Sequence, residues 1–410
     1  MQVDTMRAVD RWVGIPLTWI LSLWQRLMAP PAGGAPSLPQ RILFIELSEM
    51  GSTILVDPAM RKARDTLGAE LFFVIFHRNR ESLRLTGTVA AENTCTIRED
   101  NLWHLLWDTV HFLRWVRQRQ IDTVIDLELF SRFTALLTGL SGAVRRVGFY
   151  AFHNEGLYRG ELLTHRVAYN PHLHIAKNFI ALVNSLLAGS PECPYSKQVV
   201  ADEELSLQRR RFESGELTVM HALVRQHAPA YIPGRQRLVL INPNASELLP
   251  QRRWPPERYE QLIRHILGLA PDLLVLITGA PSEQAEASAL CERIASERCV
   301  SLAGMLRLEE LPLLYSIASL MVTNDSGPGH FSAITALPTI VLFGPETPAL
   351  YGSLGNSTPI FAGLACSPCV SAGNHRKTPC RDNVCMRAIT VERVLAEVRR
   401  MLASAGEVGE

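Results

Sequence analysis

The sequence predicts an α/β protein with two doubly wound domains, each built on a parallel sheet. Short apolar runs alternate with segments of helical periodicity in both halves of the chain. Strands that alternate with helices form crossover units, and such units contain parallel strands. At 410 residues, 47% of them hydrophobic, the chain is long enough for two domains of ordinary size.

In the first half, this alternation begins at residue 41. Predicted strands occupy residues 42–45, 71–76, 121–127 and 146–150, and predicted helices occupy residues 52–67, 102–116 and 133–140. Several of the strands are continuous apolar runs, which is typical of strands buried on both faces of a parallel sheet. A turn at residues 48–52 leads from the first strand into the first helix.

The second half repeats the plan. Predicted strands occupy residues 237–241, 273–278, 300–302, 320–322 and 339–343, and predicted helices occupy residues 256–267, 282–295 and 308–317. Ser282 is placed to cap the second of these helices. We therefore expect an N-terminal domain at 41–200, a linker at 201–235, a C-terminal domain at 236–365 and a final segment at 366–410.

The strongest functional signal lies in residues 318–345. An apolar run ends at Asn324-Asp325, a small-residue turn follows at 326–330, and a helix-like run continues to Ala336. Glycines let backbone N–H groups approach a ligand, and a helix N-terminus stabilises anionic groups. Ligands of open parallel sheets bind beyond the carboxyl ends of the strands. The segment therefore predicts diphosphate binding near Asp325 and His330.

The wider pattern resembles a known family. Asp325-Ser326-Gly327-Pro328-Gly329-His330 and Phe343-Gly344-Pro345-Glu346 are similar to an Asp-(Thr/Ser)-Gly-x-x-His loop and a (Phe/Tyr)-Gly-Pro-Thr strand end. These motifs occur in glycosyltransferase family 9, which contains the ADP-heptose:lipopolysaccharide heptosyltransferases. The resemblance covers about residues 41–351. It implies a GT-B fold, in which two Rossmann-like domains face each other across a cleft, the first binding the acceptor and the second the nucleotide sugar.

The resemblance also implies an activity. Family members transfer a sugar, here expected to be heptose from ADP-heptose, to a lipopolysaccharide-type or lipid-linked glycan with inversion. The chain contains no Asp-x-Asp pair, so a metal-chelated diphosphate is not indicated and we expect transfer to need no cofactor. The alternative is a catalytically inactive protein that has kept the nucleotide-sugar cleft. An epimerase of the same fold is a third hypothesis, which the donor-loop and Arg-x-Trp-Pro motifs disfavour.

Several donor contacts follow from the family pattern. Arg252 stands where the family has a phosphate-binding lysine, in Arg252-Arg253-Trp254-Pro255, and arginine keeps the charge while adding bidentate geometry. The expected donor-binding residues are Ser246 with Glu247, Arg252, Glu283 at the ribose, Met305 or Leu306 at the base, and Asp325, Ser326, Gly327 and His330. Ordinary loop, capping or surface roles remain the alternative at most of these positions.

The general base is the point at which this chain departs from the family. The family has an aspartate directly after the glycine of the first loop, and here Ser52 follows Gly51. A serine hydroxyl is a poor base at neutral pH, whereas inverting transfer needs a group that deprotonates the acceptor hydroxyl. Glu49 in the same loop could take this role, as could Asp126 or Glu128. If none of them does, the protein is not catalytic.

Four cysteines crowd into twenty residues near the C-terminus: Cys366, Cys369, Cys380 and Cys385. Four thiolates at such spacing can bind zinc or an iron centre, so we expect a structural metal site there. A reduced cysteine-rich loop and disulfides are the alternatives. The other four cysteines are scattered, which favours reduced thiols in a cytosolic protein.

The N-terminal segment predicts contact with a membrane surface. Residues 13–24 are uncharged and Trp12, Trp19 and Trp24 are spaced along this region, but the run is too short to span a bilayer. We expect an interfacial helix on the inner face of the cytoplasmic membrane, tethered by a proline-rich linker at 29–39. Docking of this helix on the protein's own surface is the alternative. A net charge of +1 gives no reason to expect a nucleic-acid partner.

Overall fold

The computed structural model describes residues 3–28, 38–129, 131–152, 157–246, 249–371, 374 and 376–407. The chain forms two compact units, Met1–Ser206 and Leu207–Glu410. Each unit contains a parallel six-stranded sheet within the described residues, which confirms the prediction of two doubly wound α/β domains. Most of the predicted linker at 29–39, and Glu247, lie outside the described residues.

The first unit has the strand order β3-β2-β1-β4-β5-β6. Its strands are β1 (Arg41–Ile45), β2 (Glu70–Phe76), β3 (Thr94–Ile97), β4 (Thr123–Asp126), β5 (Arg145–Phe149) and β6 (His165–Val167). Its helices are α1 (Val3–Trp12), α2 (Gly14–Met28), α3 (Ser52–Leu55), α4 (Asp57–Leu67), α5 (Leu83–Thr86), α6 (Leu102–Gln118), α7 (Arg132–Leu140) and α8 (Ile175–Asn184). The helix predicted at 52–67 is thus divided at Val56, just before Pro58, which lies in the first turn of α4.

The second unit repeats this topology, with the order β12-β11-β10-β7-β8-β9. Its strands are β7 (Arg237–Asn242), β8 (Leu273–Ile277), β9 (Cys299–Ser301), β10 (Leu320–Asn324), β11 (Thr339–Phe343) and β12 (Ser357–Phe361). Its helices are α9 (Ser214–His227), α10 (Pro256–Leu269), α11 (Gln284–Ile294), α12 (Leu311–Ile317), α13 (Gly327–Phe331), α14 (Pro348–Tyr351), α15 (Val384–Arg387) and α16 (Val391–Glu407).

In both units the chain order of the strands is 3-2-1-4-5-6, so the order reverses between the first and fourth strands. Beyond the carboxyl ends of these two strands lies the crevice in which doubly wound sheets bind ligands. In the first unit the crevice lies between β1 and β4, and in the second between β7 and β10. The central strands are buried along almost their whole length, which explains their continuous apolar sequences.

The N-terminal helices dock on the first unit, which is the second of the two expectations for this segment. Asp10 accepts hydrogen bonds from the backbone N–H groups of Arg132 and Phe133 at the start of α7 (2.8 and 2.9 Å). Ser22 Oγ accepts one from Glu161 N (2.7 Å), and the Gln25 side chain donates to Gly139 O (2.8 Å). Among the helices that the structure describes, none is both long and apolar enough to cross a membrane.

Candidate functional site

The second unit gathers charged side chains at the carboxyl edge of its sheet. Asp325 directly follows β10, Glu346 follows β11 after Gly344 and Pro345, and Arg252 ends a short 3-10 helix after β7. These three residues therefore surround the point at which the strand order reverses. Topology alone brings them together, because they are far apart in sequence.

The three side chains form a buried ionic cluster, which we call the Arg252 cluster. The Arg252 side chain lies with Nη2 3.3 Å from Glu346 Oε2 and with Nε 3.8 Å from Asp325 Oδ2. It also donates from Nη1 to the Asp325 carbonyl oxygen (3.2 Å). Asp325 and Glu346 are only 3% and 2% exposed. Charges this deeply buried are retained only when they are paired or serve a ligand.

The protonation of this cluster is shifted by its burial. Burial raises the pKa of Glu346, and the neighbouring Asp325 carboxylate raises it further, while Arg252 opposes both effects. Burial lowers the pKa of Arg252, but the negative charges of Glu346 and Asp325 outweigh this and raise it above its usual value. The arginine is therefore a fixed cation next to a carboxyl group that takes up a proton at a higher pH than an ordinary glutamate does.

Arg376 adds a second cation from the cysteine-rich segment. Its Nε lies 3.4 Å from Glu346 Oε1, and its guanidinium lies 4.9 Å from the ring centre of Tyr351. Glu346 thus bridges Arg252 and Arg376, one oxygen facing each guanidinium. Two guanidinium groups at the carboxyl edge of the sheet are suited to a phosphorylated ligand.

Asn324 is the structural centre of this edge. Its side-chain oxygen accepts hydrogen bonds from Trp254 N (3.1 Å) and Tyr259 Oη (3.0 Å), and its amide nitrogen donates to Pro243 O (2.8 Å). One fully buried amide therefore ties β10 to the loop after β7 and to the start of α10. The hydrogen bond from Trp254 N to Asn324 fixes the buried Trp254 of the Arg252–Pro255 motif. Trp254 in turn fixes the chain two residues after Arg252.

The remaining predicted donor residues lie on loops at the same edge of this sheet. Glu283 Oε2 accepts a hydrogen bond from Ala280 N (2.7 Å) and so closes the turn after β8. Gly304 N donates to Gly279 O (2.9 Å), which holds the loop with Met305 and Leu306 against that turn. Ser246 is exposed in the loop after β7.

The glycine-rich loop differs from its predicted form. Gly327 and His330 belong to α13, which begins directly after Ser326 and continues as a 3-10 turn to Ile334. A turn was predicted here, but Pro328 lies in the first helical turn, where it needs no N–H partner and its fixed φ favours the helix. Ser326 Oγ donates to Asn324 O (3.2 Å). Asp325, Ser326, Gly327 and His330 all stay near the end of β10.

The sequence motifs did not identify Glu346, Arg376 and Asn324 as parts of this edge. A signal was present for Glu346, because it replaces a threonine in the strand-end motif. Asn324 was noted only as the end of a strand. Arg376 had no usable signal, since its contact with Glu346 depends on the path of the cysteine-rich segment.

The predicted metal centre is not supported. Within the described part of the chain, no group of three or more His, Cys, Asp or Glu side chains is placed to hold a metal ion, and a tetrahedral zinc site needs four converging ligands. Cys366 is exposed whereas Cys385 is buried. The Cys380 thiol donates to Asp382 Oδ1 (3.3 Å) and the Cys385 thiol to Asn383 Oδ1 (3.5 Å). Burial raises the pKa of Cys385, with Cys369 and Cys380 adding to the effect, so this thiol stays protonated.

The first unit has its own cluster of carboxylates, between β1 and β4. Ser52 Oγ donates to Glu49 Oε2 (3.3 Å), so the two predicted catalytic residues are in contact. Glu128 Oε1 accepts from Leu47 N (3.2 Å) and Ser48 Oγ (3.0 Å). Glu49 is half-buried and belongs to the loop that follows β1.

Asp126 is less suited to receive a substrate proton. Asp126 is fully buried and forms an ion pair with Arg159 Nη2. Burial raises its pKa to about 6; Arg159 lowers it and Glu128 raises it. Arg159 also donates to the Glu128 carbonyl oxygen (2.6 Å) and the Ser131 carbonyl oxygen (2.9 Å). This network holds β4 to the following loop, which favours a structural role for Asp126.

These features define a two-unit α/β protein of the GT-B class with a buried ionic cluster at the carboxyl edge of its second sheet. The family model of glycosyltransferase family 9 (heptosyltransferase) matches residues 109–378. The chain belongs to this family.

Curated relatives and solved structures agree with that assignment. Lipopolysaccharide heptosyltransferase 1 of Escherichia coli O18:K1:H7 is 24% identical over 333 residues, covering 77% of this chain and 90% of that protein. Lipooligosaccharide heptosyltransferase 2 of Campylobacter jejuni is 24% identical over 178 residues, and lipopolysaccharide heptosyltransferase 2 of Salmonella typhimurium is 26% identical over 164. The chain spans only about half of these last two proteins (54% and 46%).

The fold is shared with E. coli ADP-heptose lps heptosyltransferase II, with a TM-score of 0.67 at 19% identity over 89% of this chain and 99% of that one. E. coli heptosyltransferase WaaC with ADP gives a TM-score of 0.61 at 16% identity, over 88% of this chain and all of that one. Both comparisons confirm the GT-B prediction at the level of the fold.

Proposed function

We propose that this protein transfers a heptose from ADP-heptose to a lipopolysaccharide-type acceptor with inversion, without a metal cofactor. The observation that carries the proposal is the Arg252 cluster at the strand-order reversal of the second unit. In an ADP-sugar the diphosphate is the leaving group, and its departure needs positive charge that does not have to be reorganised. Arg252 supplies that charge at a fixed position.

The relatives support the choice of donor. One solved relative is described as WaaC with ADP-2-deoxy-2-fluoro heptose, and the curated relatives are named heptosyltransferases. We infer that the diphosphate meets Arg252 and the first turn of α13, with Ser246, Ser326, Gly327 and His330 around it, and that Asp325 lines the adjoining sugar pocket. Glu283 would meet the ribose, and Met305 or Leu306 the base.

We infer that Glu49 is the general base. It lies at the carboxyl edge of the first sheet, is partly accessible and accepts a hydrogen bond from Ser52. Asp126 is a poorer candidate because it is fully buried and paired with Arg159. A base in this position would take the acceptor proton as the acceptor oxygen attacks the anomeric carbon and the ADP leaves.

Because Ser52 replaces the family aspartate, nucleotide-sugar binding without transfer is a second candidate function. A protein that has lost the family aspartate could bind a nucleotide sugar without transferring it. The two functions separate cleanly, because a binding protein has donor affinity and no turnover, whereas an enzyme has both.

The proposal includes the inner surface of the cytoplasmic membrane as the place of transfer. A lipid-linked acceptor is presented at that surface, and the outer face of α2 exposes Trp19, Leu23 and Trp24. Tryptophan is enriched at membrane–water interfaces. The docked helix would then be an interfacial helix built into the first unit.

The test is a donor titration followed by a transfer assay. We expect calorimetry to detect ADP-heptose binding, and Asp325→Asn or His330→Ala to weaken it by about ten- to a hundredfold, the usual effect of losing one charge-assisted hydrogen bond. Glu260→Gln, in an exposed surface pair, is the control. Unchanged affinity in both site variants would refute the donor site, and absence of turnover on rough lipopolysaccharide would favour the binding protein.

A further inference from the structure

We propose that α6 is a second lipid-binding element of the first unit and that it contacts an anionic bilayer surface together with α2. This inference rests on the membrane association proposed above and adds a separate helix to it. It starts from side chains that the proposed transfer does not use.

The outer face of α6 is apolar over its first half. Leu102, Trp103, Leu106, Trp107 and Val110 are between 46% and 82% exposed, and their spacing places them on one side of the helix. We call these five residues the α6 stripe. On the opposite side of α6, Phe112 and Val116 are buried in the core of the unit, with Leu105 and Leu113 packed against it. The stripe therefore has no part in holding the helix to the sheet.

The tryptophans are distributed very unevenly. Of the seven in the sequence, five are more than half exposed, and all five lie on the same three helices: Trp12, Trp19, Trp24, Trp103 and Trp107. The other two, Trp115 and Trp254, pack in the cores of the two units. Exposed apolar surface on this scale marks an interaction site, and its richness in tryptophan favours a lipid interface.

Both α6 and α2 pack against α7. Arg117, at the C-terminal end of α6, donates to Leu140 O (3.4 Å), and Gln25 of α2 donates to Gly139 O (2.8 Å). α6 begins after the carboxyl end of β3, so the stripe lies toward the edge of the sheet that carries Glu49. A bilayer bound there would present a lipid-linked acceptor at the correct edge.

Charge favours an anionic lipid surface over a second copy of the chain. Arg114 and Arg117 are exposed and follow Val110 at helical spacing, so they continue the face of the stripe. Pairing two such faces would bring like charges together, whereas anionic headgroups would neutralise them. Each basic residue near such a surface adds to binding, and the effect is screened by salt.

The test uses the full-length protein and vesicles of phosphatidylethanolamine with about 30% phosphatidylglycerol, which form a simple anionic bilayer. We expect wild type to float with these vesicles and Trp103→Gln/Trp107→Gln to partition at least about tenfold more weakly, because two large apolar side chains are lost from the interface. Val219→Gln, an equally exposed apolar position on α9 of the second unit, is the matched control and should bind as wild type does.

A second measurement covers the case in which the double variant folds poorly. Trp103→Phe and Trp107→Phe keep an aromatic ring, and quenching of tryptophan fluorescence by brominated lipid should fall in each relative to wild type. Flotation unchanged in the glutamine variant, or quenching unchanged in both phenylalanine variants, would overturn the role of α6. A wild-type dimer that the glutamine variant dissociates, without vesicle binding, would overturn it in favour of a second copy. ADP-heptose binding measured without lipid tests the proposed donor site separately, and turnover on rough lipopolysaccharide tests the proposed transfer.

Discussion

The Arg252 guanidinium lies 3.3 Å from the Glu346 carboxylate, and the Glu346 side chain is only 2% exposed. Family 9 is expected to have a threonine at the Glu346 position, so this chain places an acidic partner where a neutral hydroxyl is usual. The carboxylate holds Arg252 and Arg376 in position, and it also competes with any anion that approaches them. We therefore expect anion binding, the protonation of Glu346 and the stability of the second unit to depend on one another.

We expect binding of ADP-heptose to take up protons at slightly alkaline pH. The pKa of Glu346 is already raised by burial and by Asp325, and a bound diphosphate adds negative charge that raises it further. A carboxyl whose pKa rises on binding takes up a proton, so affinity should increase as the pH is lowered toward neutrality. Calorimetry in buffers of different ionisation enthalpy measures the uptake, which Glu346→Gln should abolish. Equal uptake in that variant would contradict the assignment.

Loss of the Arg252 cation should destabilise the second unit. Above the raised pKa of Glu346, Arg252→Leu leaves the carboxylates of Asp325 and Glu346 buried without their shared partner, and breaking such a pair costs about 3–5 kcal/mol in free energy of unfolding. Adding Glu346→Gln should recover part of this loss. Urea unfolding measures both effects. The control is Arg400→Leu on the surface of α16, whose pair with Glu397 is exposed and should be worth less than about 1 kcal/mol.

The base assignment predicts a selective loss of turnover. Glu49→Gln keeps the size of the side chain but removes the proton acceptor, so kcat should fall by about 10²–10⁴-fold while donor affinity barely changes. Ser52→Asp restores the family residue and should rescue Glu49→Gln. Full activity in Glu49→Gln would contradict Glu49 as the general base and would make Glu128 the next candidate. Turnover that appears only in Ser52→Asp would favour the binding-protein function.

Docking of α2 depends on a glycine. Gly160 has φ +78°, and a Cβ there would lie 2.7 Å from Ser22 Oγ and 2.9 Å from the Thr18 carbonyl oxygen. We expect Gly160→Ala to loosen α2 and to speed proteolysis within residues 3–28. Gly142→Ala is a matched control, since Gly142 has φ +79° and a Cβ there would meet nothing within 4 Å. Both variants carry the backbone cost of about 1–2 kcal/mol, so only an extra loss in Gly160→Ala reports the clash.

Asp126 predicts a pH dependence of stability. Its pKa rises from 3.8 to about 6 on folding, mainly through burial. A carboxyl with a raised folded pKa contributes stability below its unfolded pKa, and this contribution is lost as the pH rises through its folded pKa. Relative to Asp126→Asn, wild type should therefore lose unfolding free energy between about pH 4 and pH 6. A constant difference across this range, measured by urea unfolding, would contradict the raised pKa.

Much of the fold was predictable because its strands are apolar on both faces. The runs at 42–45, 237–241 and 273–278 are buried strands in the structure, and their alternation with helices requires parallel sheets. The edge strands β3, β6 and β12 were not predicted. They are short or partly exposed, so their sequences carry weak apolar patterns.

The candidate site was predictable only where a contiguous motif marks its residues, as around Arg252 and at residues 325–330. Asp325, Ser326, Gly327 and His330 follow a single strand, so sequence spacing alone places them at one sheet edge. The four cysteines also share a segment, yet the predicted metal site is not supported, because sequence proximity does not make thiols converge. Side-chain direction decides this, and spacing in a loop does not determine it.

The sequence by itself determined the alternation of strands and helices and the family, because these depend on local periodicity and contiguous motifs. For the same reason it predicts a functional edge at the end of β10. Only the tertiary structure decided that Glu346 bridges Arg252 and Arg376, that Asn324 ties three segments together, and that α2 docks on α7 while its tryptophans stay exposed. These contacts join residues that lie far apart in the chain and that the parallel crossovers bring together. Local sequence does not encode which distant residues come into contact.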